Sequence, residues 1–187
     1  MELKGSKTEQ NLLKSFAGES QARMRYTYFA SVARKEGYRQ VEGYFLETAD
    51  NEKEHAKVFF KHLAECGGEA LEITASYPAG KIGTTVENLL AAANGEKEEA
   101  GEIYPEFEKI AREEGFTEIA VSFHEIGEVE EYHEKRYRKL LANIEDETVF
   151  KKDGKVFWKC RNCGYVHEGD SAPLTCPACT HKQEHFE

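Results

Sequence analysis

Hydrophobic residues in the first 145 positions recur at steps of three and four, which places them on one face of an α-helix. Four such stretches of about 28 residues are separated by segments that contain glycine, and each would be about 42 Å long as a helix. Helices of this length are typical of a bundle. The four predicted helices run from Thr8 to Gly37, from Tyr38 to Cys66, from Thr84 to Gly115 and from Thr117 to Asn143.

Local signals refine the helix limits. Thr8 is predicted to cap the first helix, and Thr84 with Glu87 three residues later forms the capping-box pattern at the start of the third. Pro105 lies inside the third helix, where it removes a backbone donor and crowds the carbonyl of Gly101. We therefore expect a kink at Pro105.

The lengths of the links predict how the helices are connected. The first and second helices, like the third and fourth, have almost no residues between them, so each pair must be antiparallel. The link from Gly67 to Gly83 contains Pro78 and Gly80 and is long enough to cross the bundle from end to end. A four-helix bundle with one long crossover is the ferritin-like arrangement.

The helical pattern ends near Asp146, and the rest of the chain is rich in aromatic residues and cysteine. Lys151–Gly154 is predicted to form a turn at the start of this region. We expect a mainly α protein with two domains, a ferritin-like bundle at residues 1–146 and a small β-rich module at residues 147–187.

Each of the four apolar stripes carries acidic residues near its middle, where a bundle helix faces the core. Burying an ionised carboxylate alone costs on the order of several kcal/mol. For any single glutamate, a place at the stripe edge with access to solvent is the simpler explanation. That explanation weakens when all four helices share the feature at matching depth. The residues are Glu19 in the first helix, Glu52 and His55 in the second, Glu96 and Glu99 in the third, and Glu130 and His133 in the fourth.

The second and fourth helices share the motif Glu-x-x-His, whose spacing of three places both side chains on one face. The glutamate of the first helix lies 33 residues before the first motif, and that of the third lies 34 before the second, so the helix pairs look like two copies of one unit. Two inward-facing copies form the ligand set of a carboxylate-bridged dimetal centre. Only the third helix adds another carboxylate, Glu99, where the first copy has Ala22.

The charge of this set favours iron. Its five negative charges lie between the total charges of two ferrous and two ferric ions, so a buried iron pair stays near neutrality through a redox cycle. Carboxylate and imidazole ligands suit iron or manganese, whereas zinc is inactive in redox chemistry.

Other reactive side chains have simpler explanations. Cys66 is expected to be a small, partly buried residue near a helix end. Tyr26 and Tyr137 lie one or two turns from the predicted ligands and are either core aromatics or donors of hydrogen bonds to bound carboxylates. Solvated or locally bonded positions are expected for His62, His124, His167, His181 and His185.

The C-terminal region contains two Cys-x-x-Cys pairs with twelve residues between them, a spacing that binds one tetrahedral metal. Zinc would make a structural ribbon, and iron would make a one-electron carrier. The flanking aromatic residues Phe157, Trp158 and Phe186 favour iron, as does a dimetal centre that must receive electrons one at a time. The four cysteines are Cys160, Cys163, Cys176 and Cys179.

The composition excludes some classes of binding partner. The chain has 25 Lys and Arg against 35 Asp and Glu, a net charge of −10, which argues against nucleic acid or an anionic membrane as a main partner. No apolar run approaches the roughly 20 residues of a membrane span. The polar start at residues 1–8 lacks the apolar stretch of a signal peptide, so a cytoplasmic location is expected.

The helical stripes with their Glu and Glu-x-x-His residues, followed by Cys-x-x-Cys-Gly-Tyr and Cys-Pro-x-Cys, resemble the rubrerythrin family over essentially the whole chain. The C-terminal part resembles rubredoxin with a shortened segment between the cysteine pairs. The resemblance implies a non-haem iron peroxidase that reduces hydrogen peroxide to water at two iron ions. Electrons would pass through one iron on the four cysteines, with zinc as a substitute metal there. They would come from NAD(P)H by way of a reductase or rubredoxin. A homodimer in oxidative-stress defence is also implied.

The expected roles of the ligands follow from this resemblance and from the helix faces. Glu52 and Glu130 are expected to bridge the two metals, with His133 on one of them. His55 and Glu99 are expected to exchange as ligands of the other when its oxidation state changes. Glu19 and Glu96 would be terminal ligands.

Two other functions use the same residues. A ferroxidase or iron-storage protein has the same helices, but it needs no one-electron donor such as the cysteine site. A zinc-ribbon interaction module on a structural bundle leaves the buried carboxylates without a purpose.

Overall fold

The computed structural model describes residues 2–187, which form five α-helices followed by a two-stranded sheet. A π-helical turn at Glu99–Ile103 joins the third helix to the fourth, and 3-10 turns lie at Ala64–Cys66 and Gln183–His185. The elements are α1 (Lys7–Lys35), α2 (Arg39–Leu63), α3 (Thr85–Glu98), α4 (Tyr104–Glu113), α5 (Thr117–Glu145), β1 (Lys151–Lys159) and β2 (Val166–Ser171).

The start of α1 differs from the prediction. Ser6, not Thr8, caps the helix, because its hydroxyl accepts the N–H of Glu9 at 3.0 Å. The prediction of Thr8 as the cap was therefore wrong. Thr8 lies inside the first turn, and its own N–H and hydroxyl donate to Glu114 at the end of α4, at 2.8 and 2.6 Å. The Thr8 side chain thus makes a tertiary contact, which the local sequence pattern does not reveal.

The capping box at the start of α3 is confirmed. The Thr84 hydroxyl accepts the N–H of Glu87 at 3.3 Å, and the Glu87 carboxylate accepts the N–H of Thr84 at 2.9 Å. The long link before it, residues 67–83, contains neither helix nor strand. The bundle is therefore of the ferritin-like type with one crossover, as the link lengths predict.

A π-helical turn lies immediately before Pro105, at the place where a kink is expected. The N–H of Tyr104 donates to the carbonyl of Glu99, five residues back, so the helix widens before Pro105. Pro105 then lies in the first turn of α4, where its missing N–H would have had no partner within that helix. The irregularity therefore lies before the proline, and it adds one residue to the helical run from α3 to α4.

The core of the bundle has two apolar clusters, one toward each end. Tyr26, Phe45 and Tyr137 are buried in one cluster, and Phe59 and Phe123 are buried in the other. On α1, α2 and α5 the predicted ligands lie in sequence between residues of the two clusters. The acidic layer is therefore closed off by packed aromatic and aliphatic side chains on both sides.

The C-terminal region is β-rich, as predicted. Strands β1 and β2 are antiparallel, with Trp158 opposite His167. The predicted turn at Lys151–Gly154 was wrong, since these residues belong to β1. The pairing of β1 with β2 is irregular between positions 151 and 156 of β1, and this irregularity contains most of the predicted turn. Gly154 has a φ of 97°, which fits a bulge better than a hairpin turn.

The sheet region lies against the start of α2. Arg39 forms an ion pair with Glu184 at 3.2 Å, and the Arg161 guanidinium packs on the backbone of Gly43. The domain boundary at 146 and 147 stays a prediction. No helix within residues 2–187 has both the length and the apolar character that a membrane crossing requires.

Candidate metal centres

Four-helix packing brings six predicted ligands together at the middle of the bundle. Their ligand atoms form two groups of four, and within each group all atoms lie within 4.8 Å of one another. Glu52 and Glu130 belong to both groups. A carboxylate shared between two such groups is placed to bridge two ions. Glu19 and His55 complete the first group, and Glu96 and His133 complete the second.

The four glutamates of these groups are almost completely removed from solvent. Glu19 and Glu130 are 0% exposed, and Glu52 and Glu96 are 1% exposed. The periodicity therefore predicted their inward orientation correctly, since each lies on the apolar face of its helix.

Both histidines turn the same ring nitrogen, Nδ1, toward the carboxylates. His55 Nδ1 lies 2.9 Å from Glu52 Oε2 and 2.9 Å from Glu130 Oε1. His133 Nδ1 lies 2.7 Å from Glu130 Oε2 and 3.4 Å from Glu52 Oε1. Each histidine thus faces both shared glutamates from a different side.

Four buried carboxylate oxygens have no hydrogen-bond partner among residues 2–187. One of them, Glu130 Oε1, is near His55 but lacks hydrogen-bond geometry. Buried polar atoms are normally satisfied, so an unsatisfied set that converges on one point needs another partner. Hard and borderline cations that prefer oxygen and imidazole ligands supply that partner, so these residues fit a pair of iron ions. The oxygens are Glu19 Oε2, Glu52 Oε1, Glu96 Oε2 and Glu130 Oε1.

Burial and mutual repulsion make the cluster strongly attractive to cations. Desolvation and the charges of neighbouring glutamates raise the pKa of Glu19 and of Glu130 well above 4.5. Desolvation opposes protonation of His133, but the hydrogen bond with Glu130 and the nearby carboxylates of Glu52 and Glu96 outweigh it and raise its pKa to about 12. The pKa of Glu52 shifts the other way: desolvation favours its neutral form, yet the nearby imidazoles of His133 and His55 lower its pKa.

Two tyrosines hold the outer glutamates in a crossed pattern. The hydroxyl of Tyr26, in the first half of the bundle, donates to Glu96 in the second half. The hydroxyl of Tyr104, in the second half, donates to Glu19 in the first. Of the two explanations for Tyr26, the hydrogen-bond donor is therefore correct. Tyr137 instead packs edge-on against Tyr26, with ring centroids 5.6 Å apart, and its hydroxyl has no hydrogen-bond partner within the described residues 2–187.

Tyr104 was missed by the sequence reasoning, although the internal repeat contains the signal. Tyr26 follows Glu19 by seven residues, and Tyr104 follows Glu96 by eight. The extra residue is the one that the π turn accommodates, and it also accounts for the spacings of 33 and 34 between the paired glutamates. Tyr104 is thus the counterpart of Tyr26 in the second half.

Glu99 lies beside the cluster but outside both groups. It is the first residue of the π turn, and its side chain is half-buried along a cavity between α1 and the crossover. Burial and the charges of Glu96 and Glu52 raise its pKa well above 4.5. Its role as an alternate ligand stays a prediction.

Most remaining histidines and the isolated cysteine have local roles, as expected. His62 contacts the Ser122 hydroxyl at 3.0 Å, and His124 lies 3.1 Å from Glu108. Cys66 is buried, and desolvation raises the pKa of its thiol to about 11, so it stays protonated at neutral pH.

The four cysteines of the C-terminal region converge on one point. The Sγ atoms of Cys160 and Cys179 are 3.7 Å apart, and so are those of Cys163 and Cys176. Four sulfurs at about 2.3 Å from a metal form a tetrahedron with edges of about 3.8 Å, whereas a disulfide would require about 2.05 Å. The backbone N–H of His181 holds the pKa of Cys179 at about 6, which favours the thiolate that a metal needs. The geometry is that of a tetrahedral metal site.

Comparison with known proteins agrees with both centres. Residues 10–141 match the family model described as Rubrerythrin, and residues 158–187 match the one described as Rubrerythrin, rubredoxin-like domain. The chain belongs to the rubrerythrin family. It is 60% identical over 185 residues to the rubrerythrin of Porphyromonas gingivalis, covering 99% of this chain and 91% of that protein. It is 55% identical over 185 residues to the rubrerythrin of Nitratidesulfovibrio vulgaris, covering 99% and 95%.

Solved structures show the same architecture. Nigerythrin in a partially reduced state superposes with a TM-score of 0.65 at 30% identity, over 100% of this chain and 92% of that one. Symerythrin from Cyanophora paradoxa, at 24% identity and a TM-score of 0.64, shares the fold over 74% of this chain and 85% of that one. The chain therefore carries the di-iron site of a ferritin-like bundle and the four-cysteine site of a rubredoxin-like domain.

Proposed function

We propose that this rubrerythrin-family protein is a non-haem iron peroxidase that reduces hydrogen peroxide to two molecules of water, with two electrons and two protons consumed. The observation that carries the proposal is the pair of overlapping ligand groups that share Glu52 and Glu130, on the same chain as a four-cysteine site. A two-electron reaction at the bundle and a one-electron carrier at the C-terminus form a complete redox unit.

The shared position of Glu52 and Glu130 supports their assignment as bridging ligands. Glu19 and Glu96 each belong to one group, which supports their assignment as terminal ligands. We assign His133 to the metal nearer Glu96. His55, in the group with Glu19, or Glu99 holds the other metal, in an exchange that follows its oxidation state.

When bound, the iron pair supplies two electrons and polarises the oxygen–oxygen bond of peroxide. The protein holds the ligands in place and excludes water. Tyr26 and Tyr104 fix the outer glutamates through their hydroxyl groups. Burial and the adjacent carboxylates raise the pKa of both tyrosines well above 10, so at neutral pH they remain O–H donors. The aromatic clusters above and below keep bulk solvent away from the carboxylates.

The four-cysteine site is proposed to hold one iron and to restore the two electrons one at a time. Trp158 and Phe186 are buried beside Cys160 and Cys176 and shield that site from water. We propose rubredoxin or an NAD(P)H-dependent reductase as the donor, a homodimer as the working form, and the cytoplasm as its location. The two-domain division at 146 and 147 is part of the same proposal.

The second candidate, a ferroxidase or iron-storage protein, shares the bundle with the bacterioferritin structures that this chain resembles in fold. It leaves the four-cysteine site without a purpose. A zinc ribbon on a structural bundle leaves four buried carboxylate oxygens without partners. Peroxidase activity uses both sites.

The test is a single-turnover reaction of protein that has been prepared without oxygen. Protein loaded with ferrous iron is mixed with hydrogen peroxide or, separately, with dissolved oxygen, and oxidation is followed by absorbance. We expect much faster oxidation by peroxide, with one peroxide consumed per two ferrous ions. Faster oxidation by oxygen, with ferric mineral accumulating, would support the ferroxidase instead.

A further inference from the structure

A cavity of about 250 Å³ lies between α1, the crossover segment and the run from α3 to α4. A water molecule in the liquid occupies about 30 Å³, so this space holds several small polar molecules. Ser15 and Gly18 line it from α1, Tyr77 from the crossover, and Glu99 and Tyr104 from the other side.

The inner end of the cavity adjoins the first group of ligands. Gly18 precedes Glu19 in α1, and the hydroxyl of Tyr104 donates to the Glu19 carboxylate. Glu99, at the start of the π turn, lines the same space. A molecule in the cavity is therefore one side chain away from the predicted metal pair.

One wall of the cavity carries a glycine, Gly18, at a point where a larger residue would be easily accommodated. A Cβ on Gly18 would lie 3.6 Å from Cε1 of Tyr77, an ordinary contact distance. Glycine is among the poorest helix formers, and no close backbone approach requires it here. What the missing side chain leaves is open volume in the wall of the cavity at Gly18.

The walls also offer an unused hydrogen-bonding group. The Ser15 hydroxyl is buried and has no hydrogen-bond partner in the described part of the chain, although such groups are normally satisfied. At the outer side the Tyr77 hydroxyl donates to the carbonyl of Lys14 at 2.7 Å, which fixes the crossover over the cavity. The space is thus partly open to solvent, partly polar and adjacent to the proposed reaction centre.

We propose that this cavity is the binding and access site through which hydrogen peroxide reaches the Glu99 side of the metal pair, an inference that rests on the proposed peroxidase function. Peroxide is small and neutral, and it both donates and accepts hydrogen bonds, as the Ser15 hydroxyl requires. A second cavity, of about 410 Å³, lies on the other side of α4 and is lined by Gly101 and His124. It is the alternative route.

Matched glycine substitutions distinguish the two routes. Gly18→Leu fills the first cavity, and Gly18→Ala adds only one methyl group there. Gly101→Leu makes the same enlargement in the second cavity, where a Cβ would meet nothing within 4 Å. Each variant is loaded with iron, its metal content is measured, and the rate constant for oxidation of the ferrous protein by peroxide is determined.

We expect Gly18→Leu to lower the second-order rate constant by about tenfold or more, with iron content unchanged, because the leucine side chain fills the cavity. A tenfold loss corresponds to about 1.4 kcal/mol of barrier. Gly18→Ala should cause a smaller loss, and Gly101→Leu should react like the unmodified protein. Ser15→Met fills the same cavity from the preceding turn of α1. We expect the same loss from Ser15→Met, which serves as the test if Gly18→Leu fails to bind iron.

A structural measurement accompanies the kinetics. Crystals of the iron-loaded protein under xenon pressure should show xenon beside Gly18, and that density should be absent in Gly18→Leu but present in Gly101→Leu. If Gly18→Leu loses the xenon site and reacts at the unmodified rate, or if only Gly101→Leu is slow, the inference is overturned. If the unmodified protein itself does not react with peroxide, the proposed function fails instead.

Discussion

Each half of the bundle carries one outer glutamate, one Glu-x-x-His motif and one tyrosine that holds a glutamate, but the second half is one residue longer. In α1 the tyrosine follows the glutamate by seven residues, and from α3 to α4 it follows by eight. The π turn absorbs the difference, so both tyrosines still reach the glutamate of the opposite half. A π turn thus accommodates an extra residue within a helix while the side-chain contacts that follow it are kept. The same turn presents Glu99, which has no counterpart in the first half.

The largest expected effect comes from breaking what the halves share. Glu130→Ala removes a carboxylate that belongs to both ligand groups, so we expect loss of both iron ions and of single-turnover oxidation by peroxide. Metal analysis and stopped-flow absorbance measure the two effects. Glu131→Ala, one residue along the same helix and exposed, is the control and should keep both. Two bound iron ions and an unchanged rate in Glu130→Ala would show that the ligand assignment is wrong.

A large but selective effect is expected from the four-cysteine site. Cys160→Ser should abolish peroxide turnover linked to NAD(P)H in the presence of the donor protein, because the relay into the bundle is broken. The ferrous bundle should still react once with peroxide at its usual rate. Steady-state oxidation of NADH and single-turnover absorbance separate the two. Full coupled turnover in this variant would contradict the relay.

The two crossed hydrogen bonds allow a direct comparison of the halves. Tyr26→Phe and Tyr104→Phe each leave an outer glutamate without its donor, so each should lower iron affinity by about 10- to 100-fold. Competition with a ferrous chelator measures the affinities. The account predicts losses of similar size, because the π turn makes the positions equivalent. A large loss in one variant and none in the other would break the proposed equivalence.

A smaller effect is expected from pH on the metal-free protein. Burial and repulsion raise the folded-state pKa of Glu19 and Glu130 above the usual 4.5. A raised pKa gives stability that is full below the unfolded value and is lost as pH rises through the folded value. The raised pKa of His133 acts in the same direction, from 6.5 upward. The free energy of unfolding of the metal-free protein should therefore fall as pH rises from about 5 to about 8.

Urea unfolding of metal-free and iron-loaded protein at both pH values measures this. Iron should remove most of the decline, because the cations take the place of protons. Glu52, whose pKa is lowered, contributes stability that is lost only below 4.5, outside this range. Metal-free protein that becomes more stable toward about pH 8 would contradict the cause assigned to these shifts.

The helices and the inward glutamates were predictable because a bundle imposes one strong period on the sequence. Glu19 and Glu130 lie on apolar stripes, and their burial follows from that position. The ferritin-like connection followed from the lengths of the links. These features depend on patterns that recur over a whole helix, so single exceptions do not obscure them.

Features that depend on one residue were not predictable in the same way. Thr8 matched a cap by residue type, but its contact with Glu114 is a tertiary one. Each helical residue turns by about 100°, so the extra residue of the π turn changes which face follows it, and Tyr104 was overlooked. The strand residues at Lys151–Gly154 have the composition of a turn, and only their place in β1, with Lys151 opposite Ser171, shows otherwise.

The most direct test of the account is anomalous diffraction at the iron edge from crystals of the iron-loaded protein. The account predicts two iron peaks within the bundle, each next to one oxygen of Glu52 and one of Glu130, and a third among the four cysteines. A single peak in the bundle, or glutamates turned away from the peaks, would contradict the claim that a pair of cations neutralises the buried carboxylates.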